Sequence, residues 1–198
     1  KIYFCYDCAD DFYCSTIYWR WFCNSARIIN GTMIRVGIGY DVHAFANNRP
    51  LILGGVTIPH NQGLLGHSDA DVLTHAIMDA LLGGLALGSI GDWFPDTDPA
   101  FKDADSCKLL RYIVNDINDR KYTIVNVDSV IIAQAPKLAP FVTDIRASLA
   151  SALGCAIEFV GVKATTTEQL GFEGRAEGIA AQAVVSLLHQ SFNASSNT

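Results

Sequence analysis

The chain lacks an apolar run long enough to cross a membrane, and it has little charge of either sign. Its 198 residues include 14 Lys and Arg against 20 Asp and Glu, a formal net charge of −6. The longest candidate run, Val72 to Leu87, contains His75 and Asp79, which indicates a buried helix. Basic residues form no cluster, and sequence-general binding of nucleic acid requires one. We therefore expect neither a membrane nor a nucleic acid as partner.

Cysteine is scarce over most of the chain, and the first methionine is Met33. Beyond residue 32 only Cys107 and Cys155 remain, which favours a reducing compartment without disulfides. The first 32 residues contain four cysteines, including a CxxC at Cys5 and Cys8, and four thiolates could hold zinc. The second pair has no matching spacing, and the segment lacks the features of a signal or transit peptide. We interpret residues 1–32 as an upstream extension that adds little to the fold.

Residues 33–190 have the pattern of one alternating α/β domain, followed by a frayed, Ser- and Asn-rich tail at 191–198. The chain is 50% hydrophobic and 17% charged, which suits a single compact core. Strands are predicted at 33–45, 122–133 and 157–165, with a hairpin at 51–58 bent at Gly54-Gly55. Helices are predicted at 70–87, 105–118, 139–153 and 176–190, with Ser68 or Asp69 capping the first and Gly154 closing the third. Loops are predicted at 60–66 and 88–99. The expected fold is an α/β (α+β) sandwich, a mixed sheet with helices packed on one face.

A candidate metal site is formed by Asp41, His43 and His75. Asp41 and His43 are two residues apart on a predicted strand, so they share the face opposite its alternating apolar residues, Ile34, Val36, Ile38, Tyr40 and Val42. His75 is in the middle of the first helix, with Asp71 and Asp79 one turn away on either side as acceptors for its second N–H. Three such ligands leave a coordination position of zinc open, which indicates a catalytic rather than a structural metal site. For His75 alone, a core histidine with a satisfied hydrogen bond is the competing interpretation.

Further motifs suit phosphate and polyol groups. His67 and Ser68 lie where the first helix begins, a position that favours an anion, although an ordinary cap gives the same pattern. Asp96, in the loop from Trp93 to Pro99, suits sugar or polyol hydroxyls, although a Pro-bounded turn is the commoner origin of such a sequence.

Two more segments each follow a predicted strand. Small residues around Lys137 would let a planar ligand approach the backbone. Thr165, Thr166 and Thr167 with Glu168 suit phosphate oxygens and a hard cation such as Mg²⁺. A threonine run at a strand end also arises from β-propensity alone.

Together these segments resemble the 2-C-methyl-D-erythritol 2,4-cyclodiphosphate synthases of the non-mevalonate isoprenoid pathway. The resemblance covers Met33 to about Gln190, in order and without large gaps, and it leaves out residues 1–32. The matching segments are Gly37 to His43, His67 to Asp69, Phe94 to Asp98, Ala133 to Lys137, Lys163 to Glu168, Leu170 to Phe172, and Gly174-Arg175.

The resemblance implies a homotrimer with active sites between subunits, acting on a small cytidine diphosphate substrate. It implies Zn²⁺, or another divalent transition metal, at Asp41, His43 and His75, and Mg²⁺ or Mn²⁺ at Glu168. His67 and Thr166 are the candidates for transition-state contacts. The positions that match substrate contacts are Asp41, His43, His67, Ser68, Ser89, Ile90, Gly91, Phe94, Asp96, Asp98, Ala133, Pro136, Lys137, Leu138, Ala139, Thr165, Thr166, Thr167, Glu168, Phe172 and Arg175.

Three positions depart from the family pattern. Ala70 and Ser89 stand where Gly and Asp are usual, and Gln182 stands where some members have Glu near the trimer axis. The Ala70 change is expected to stiffen the loop, and Gln182 puts a ligand role of the central cavity in doubt. None of the three touches the metal set.

The expected activity is cyclisation of 4-diphosphocytidyl-2-C-methyl-D-erythritol 2-phosphate with release of CMP. A metal-dependent phosphodiester or pyrophosphate hydrolase, and a trimeric nucleotide-binding protein without turnover, are the competing interpretations. The resemblance implies a cytoplasmic protein in bacteria, or a plastid one in a plastid-bearing eukaryote. Association with neighbouring pathway enzymes is left open.

Overall fold

A five-stranded mixed sheet forms the centre of the molecule. The computed structural model describes residues 34–190, all of which fall in one compact unit, residues 32–198. The expectations for residues 1–32 and for the tail lie outside the described residues. The sheet order is β4-β1-β7-β5-β6, and only β5 and β6 run parallel. The strands are β1 (Ile34–Ala46), β4 (Gly63–Leu64), β5 (Tyr122–Ile132), β6 (Val160–Thr165) and β7 (Gly178–His189), and a separate hairpin contains β2 (Leu51–Leu53) and β3 (Val56–Ile58).

Helices cover one face of the sheet, as the sequence predicts. The helices are α1 (Val72–Gly84), α2 (Ile90–Trp93), α3 (Ser106–Asp119), α4 (Val142–Leu153) and α5 (Gly171–Gly174). Helix α1 packs on β1 and β7, and α3 and α4 pack beside it over β5 and β6. The core lies between these helices and the sheet, and α1 contributes most of its own length to it. None of the helices at residues 34–190 is long and apolar enough to cross a membrane.

The prediction of a final helix at residues 176–190 is wrong, because this segment forms strand β7. It pairs with β1 on one side and β5 on the other, so it is the middle strand of the sheet. Central strands covered by helices are nearly continuous apolar runs, and such a run is hard to tell from a buried helix by pattern alone. The small residues Ala181 and Ala183 face the helices and are buried, while Val184, which follows Ala183, is 42% exposed. Tertiary packing here outweighs the helix propensity of alanine.

Other predicted boundaries shift by a few residues. The first helix begins at Val72, capped by Asp71 and not by Ser68 or Asp69, and it ends at Gly84. The loop predicted at 88–99 contains the short helix α2, and the loop at 60–66 contains β4. The Gly54-Gly55 turn and the Gly154 helix end are confirmed, and all three glycines have positive φ.

Candidate active site

The three predicted metal ligands meet where β1 passes α1. Asp41 Oδ2 lies 2.9 Å from His43 Nε2 and 3.0 Å from His75 Nδ1. The two imidazole nitrogens lie 3.2 Å apart. A zinc ion bound tetrahedrally at about 2.0–2.1 Å would hold neighbouring donors about 3.3 Å apart. One carboxylate and two imidazoles at these distances fit a divalent transition metal with a coordination position left open.

Glycines in β1 bring the strand and the helix close enough for this meeting. A Cβ on Gly37 would lie 1.9 Å from the Ala80 carbonyl oxygen, and one on Gly39 would lie 2.0 Å from the Ala76 carbonyl oxygen. Strand alternation places both glycines on the same face as Asp41. The backbone of α1 therefore rests directly on β1, and His75 reaches the strand residues.

Hydrogen bonds select which nitrogen of each imidazole faces the metal position. His43 Nδ1 donates to the Leu65 carbonyl oxygen over 2.6 Å, which leaves Nε2 toward Asp41. His75 Nε2 lies 3.0 Å from Ser106 Oγ and 3.2 Å from Ser68 Oγ, which leaves Nδ1 toward Asp41. A ligating nitrogen must be unprotonated, so both patterns suit metal binding.

The prediction that Asp71 or Asp79 accepts from His75 is wrong. The Asp71 carboxylate accepts from the Gly54 and Gly55 backbone N–H groups. Asp79 Oδ1 accepts from the Ile90 N–H over 2.8 Å and so anchors the start of α2. The sequence spacing of one helical turn suggested that both acids contact His75. In the structure Asp71 instead holds the hairpin turn, and Asp79 holds the start of α2.

The charge balance of the group suits a cation. Burial opposes ionisation of Asp41, but the adjacent imidazoles of His43 and His75 outweigh it and hold the pKa of that carboxyl well below its usual range. Burial likewise opposes protonation of His43, but the hydrogen bond to Asp41 outweighs it and raises the pKa of the imidazole. The site thus presents an ionised carboxylate that draws positive charge.

A cavity of about 440 Å³ opens beside the metal ligands. Several residues predicted to contact substrate line it together with the metal set, namely His67, Ser68, Ile90, Gly91, Phe94 and Asp96. The remaining lining residues are Gly66, Met78, Pro95, Phe101 and Leu109. Ser89 and Asp98 do not line it: Ser89 hydrogen-bonds Asp92, and the Asp98 carboxylate caps the turn at Ala100. The metal ligands and the predicted polyol wall therefore share one cavity.

The loop before α1 is held by contacts that the sequence did not indicate. Arg49 donates to the carbonyl oxygens of Gly66 and Ser68 over 2.7 and 2.5 Å. Ala70, where Gly is usual, is buried and has a φ of 59°, a conformation that favours glycine. His67 Nε2 lies 3.3 Å from the Asp98 carbonyl oxygen, which ties the loop to the wall of the cavity.

A second cavity, of about 270 Å³, lies at the carboxyl ends of β5 and β6. These strands run parallel, so the two segments that follow them meet at one sheet edge, and the Ala133 N–H donates to the Thr165 carbonyl oxygen over 2.9 Å. The lining residues are Ala133, Gln134, Pro136, Lys137, Leu138, Ala139, Ala164, Thr165 and Thr166. The segments predicted for cytidine and diphosphate therefore come together in one place.

Besides Ser89 and Asp98, four more predicted residues lie outside both cavities. Glu168 is exposed and accepts from Thr166 Oγ1 over 2.9 Å. The Thr167 hydroxyl donates to the Leu170 carbonyl oxygen. Arg175 forms an exposed ion pair of 2.7 Å with Glu177, and Phe172 is half-buried in α5. Among the described residues of one chain, these four do not line a common pocket.

Sequence reasoning missed several residues of the first cavity. Met78 follows His75 on α1, whereas Phe101 and Leu109 come from segments with no motif of their own. Leu109 nevertheless carries a weaker signal, because it belongs to the apolar stripe of α3, which also contains Leu110, Ile113, Val114 and Ile117. Ser106, which contacts His75 but does not line the cavity, carries no signal, since a serine at a helix start is an ordinary capping residue.

Comparison with known proteins places these features in a family. The YgbB family model matches residues 34–188. A 2-C-methyl-D-erythritol 2,4-cyclodiphosphate synthase of Desulfitobacterium hafniense is 60% identical over 156 residues, 79% of this chain and 99% of its own. One of Geobacter metallireducens is 62% identical over 152 residues, 77% of this chain and 97% of its own.

Solved structures agree with the sequence relatives. IspF of Plasmodium falciparum in complex with CDP has a TM-score of 0.70 at 35% identity, over 80% of this chain and 97% of its own. The bifunctional IspDF from Campylobacter jejuni has a TM-score of 0.77 at 44% identity over 80% of this chain, which spans 43% of that protein. The family resemblance predicted from the motifs is confirmed: the chain belongs to the YgbB family.

Proposed function

We propose that the chain converts 4-diphosphocytidyl-2-C-methyl-D-erythritol 2-phosphate to 2-C-methyl-D-erythritol 2,4-cyclodiphosphate and CMP, in isoprenoid precursor synthesis. The observation that carries the proposal is the convergence of Asp41, His43 and His75 at the edge of a cavity lined by the predicted methylerythritol contacts. Relatives at about 60% identity over nearly their whole length bear the name of this activity. A cytoplasmic location stays a prediction.

Asp41, His43 and His75 would hold Zn²⁺ or another divalent transition metal, and Glu168 would hold Mg²⁺ or Mn²⁺ together with the substrate diphosphate. Divalent cations supply charge neutralisation and Lewis-acid polarisation to the two phosphates that must react. The donor set of one carboxylate and two imidazoles supports the first assignment. The exposed Glu168 carboxylate, beside the Thr166 hydroxyl, supports the second.

The residues of the two cavities bind and orient the substrate in this proposal. His67 and Ser68 contact phosphate, Asp96 accepts from the erythritol hydroxyls, and the segment around Lys137 encloses cytidine. A long substrate must fold so that its 2-phosphate reaches the β-phosphorus, and fixing both ends lowers the entropic cost of that approach. Thr166 and His67 donate hydrogen bonds to the charge that develops in the transition state. No general base is required, because the attacking phosphate is already ionised.

We further propose that the active form is a homotrimer in which the second cavity of one subunit meets the first cavity of its neighbour. An exposed apolar stripe on the face of the sheet opposite the described helices supports association: side chains of β1 are 43–65% exposed at Ile34, Val36, Ile38, Tyr40 and Val42. Val184 of β7 pairs with Ile38 and extends the stripe. A contiguous apolar patch of this kind marks an interface. Gln182 pairs with Tyr40 on this face, where some relatives have Glu.

A phosphorus NMR time course with the cytidine diphosphate substrate, zinc and magnesium tests the activity directly. We expect a cyclic diphosphate and stoichiometric CMP, with both lost after chelation. CMP with a linear product would indicate a hydrolase. Nucleotide binding without turnover would indicate a binding protein.

The metal assignment is tested by Asp41→Asn, which removes the anionic ligand while keeping its shape. We expect loss of both bound metal and turnover, measured by elemental analysis of the purified protein and by the NMR assay. Asp116→Asn, on the exposed surface of α3, is the matched control and should keep both. Full activity of Asp41→Asn with no bound metal would contradict the ligand assignment.

A further inference from the structure

The Ser106 hydroxyl is buried against the far side of the His75 ring. Ser106 is 0% exposed, and its Oγ lies 3.0 Å from His75 Nε2. His75 Nδ1, on the opposite edge of the ring, faces Asp41 and the metal position. The hydroxyl therefore holds the one imidazole nitrogen that cannot bind the metal.

Asp69 determines the direction of this hydrogen bond. The Ser106 hydroxyl donates to Asp69 Oδ1, and the Ser106 backbone N–H donates to Asp69 Oδ2 over 3.0 Å. With its proton directed to a carboxylate, the Ser106 oxygen must accept from His75, so the ring carries its proton on Nε2. That tautomer leaves the Nδ1 lone pair free for a cation.

The segment that leads into α3 also holds the loop before α1, which contains His67 and Ser68. The Asp69 N–H donates to the Ala104 carbonyl oxygen over 3.1 Å, and the Asp103 N–H donates to the His67 carbonyl oxygen over 2.9 Å. Residues 103–104 thus pair with residues 67–69 along their backbones. Contacts with the start of α3 therefore fix both the position of His75 and the position of the loop before α1.

We propose that Ser106 and Asp69 are positioning residues that fix the tautomer and ring orientation of His75 for metal binding. This inference rests on the metal site of the proposed function. Ser68 Oγ also approaches His75 Nε2, at 3.2 Å, but it accepts the Ala70 N–H as well and lies on the loop that faces the cavity. Ser106 is the enclosed partner of the ring, and Asp69 acts through it.

The test is the dissociation constant for Co²⁺ and Zn²⁺ of chelator-stripped protein, from competition with a chromophoric chelator. Loss of such an outer partner weakens metal binding by about 10- to 100-fold, and we expect this loss for Ser106→Ala. The visible spectrum of the Co²⁺ form should change as well, because the ring is free to rotate. Ser106→Thr restores the hydroxyl and should recover most of the affinity.

Ser129→Ala is the matched control, because Ser129 is also buried and its hydroxyl donates to a backbone carbonyl oxygen, that of Gly161. It should bind metal as the wild type does. Asp69→Asn, the second variant, should weaken binding, and combining it with Ser106→Ala should add little, because both act through one contact.

Wild-type affinity and an unchanged Co²⁺ spectrum in Ser106→Ala would overturn the inference. If that variant does not fold, the same result in Asp69→Asn would overturn it. A wild-type protein that binds neither metal would overturn the metal site of the proposed function, and this inference with it.

Discussion

At the scale of single residues, Asp71 joins two parts of the fold that are distant in sequence. Its buried carboxylate accepts from the N–H groups of Gly54 and Gly55 at the hairpin turn, over 2.9 and 2.7 Å. It also accepts from the N–H and hydroxyl of Thr74 in the first turn of α1, over 3.0 and 2.8 Å. Burial raises the pKa of this carboxyl, and these four hydrogen bonds oppose that rise.

Replacing Asp71 by Asn should destabilise the protein by about 1–3 kcal/mol, because the amide NH₂ would face donors and leave a buried donor without an acceptor. Urea unfolding followed by circular dichroism measures the change. Asp116→Asn, which breaks the surface ion pair with Arg120 at the end of α3, should have a much smaller effect, because solvent screens that pair. Equal midpoints for the two variants would show that Asp71 does not hold the hairpin to the helix.

The grouping of the three candidate metal ligands could be predicted at this scale, whereas the residues that support His75 could not. Asp41 and His43 share a strand face by simple alternation, and His75 stands out in an apolar helix. Ser106 lies 31 residues beyond His75, and nothing in its neighbourhood marks it as a partner of an imidazole. Its role depends on a contact between α1 and α3 that arises only in the folded chain.

At the scale of elements, the approach of α1 to β1 depends on the absence of side chains at Gly37 and Gly39. Added Cβ atoms would meet backbone carbonyl oxygens, which cannot turn aside as a side chain can. Gly154 differs: it has a φ of 66° and open space around it, so a side chain there brings only backbone strain.

Gly39→Ala should therefore cost about 3 kcal/mol or more, the upper end of overpacking effects. Gly154→Ala should cost about 1 kcal/mol, the penalty of a left-handed alanine. Thermal unfolding of both variants against wild type gives the comparison. A smaller loss at Gly39 than at Gly154 would mean that the strand and helix can separate without harm.

Elements with a clear hydrophobic period were predictable from the sequence, whereas β7, the central strand of the sheet, was not. The alternation of β1, the Gly-Gly turn of the hairpin and the apolar stripe of α3 each indicated the correct element. Strand β7 is rich in alanine and nearly continuous in apolar residues, because its inner face lies under α1 and its neighbours cover both edges. Its identity is decided by pairing with β1 and β5, which a local pattern cannot contain.

At the scale of the whole molecule, the layered α/β architecture could be predicted from the order of the elements. That the apolar side of β1 faces away from the helices could not be predicted in this way. The alternation correctly separates Asp41 and His43 from the apolar residues. Those apolar residues point away from the helices and are exposed in the single chain, for example Ile38 at 63%. Residues 34–190 of a single chain do not supply their cover.

Ile38→Lys should therefore abolish trimer formation with little effect on folding of the subunit, because the side chain is exposed there. Light scattering coupled to size-exclusion chromatography measures the mass, and the NMR assay should lose activity in parallel. Ile157→Lys, at an exposed apolar residue away from β1, is the control and should remain a trimer. A fully active monomeric Ile38→Lys would contradict a shared active site.

The central position of β7 has a consequence for how the protein is made. Ile34 pairs with Leu188 and His43 with Ile179, so most of the first described strand finds its partner only after nearly the whole domain has left the ribosome, whereas only its end pairs early, with β4. Pairings this far apart in sequence slow folding and leave strand edges unprotected in the meantime. Until β7 is inserted, β1 has an open edge beside its exposed apolar stripe, so the nascent chain is most prone to aggregation in this interval.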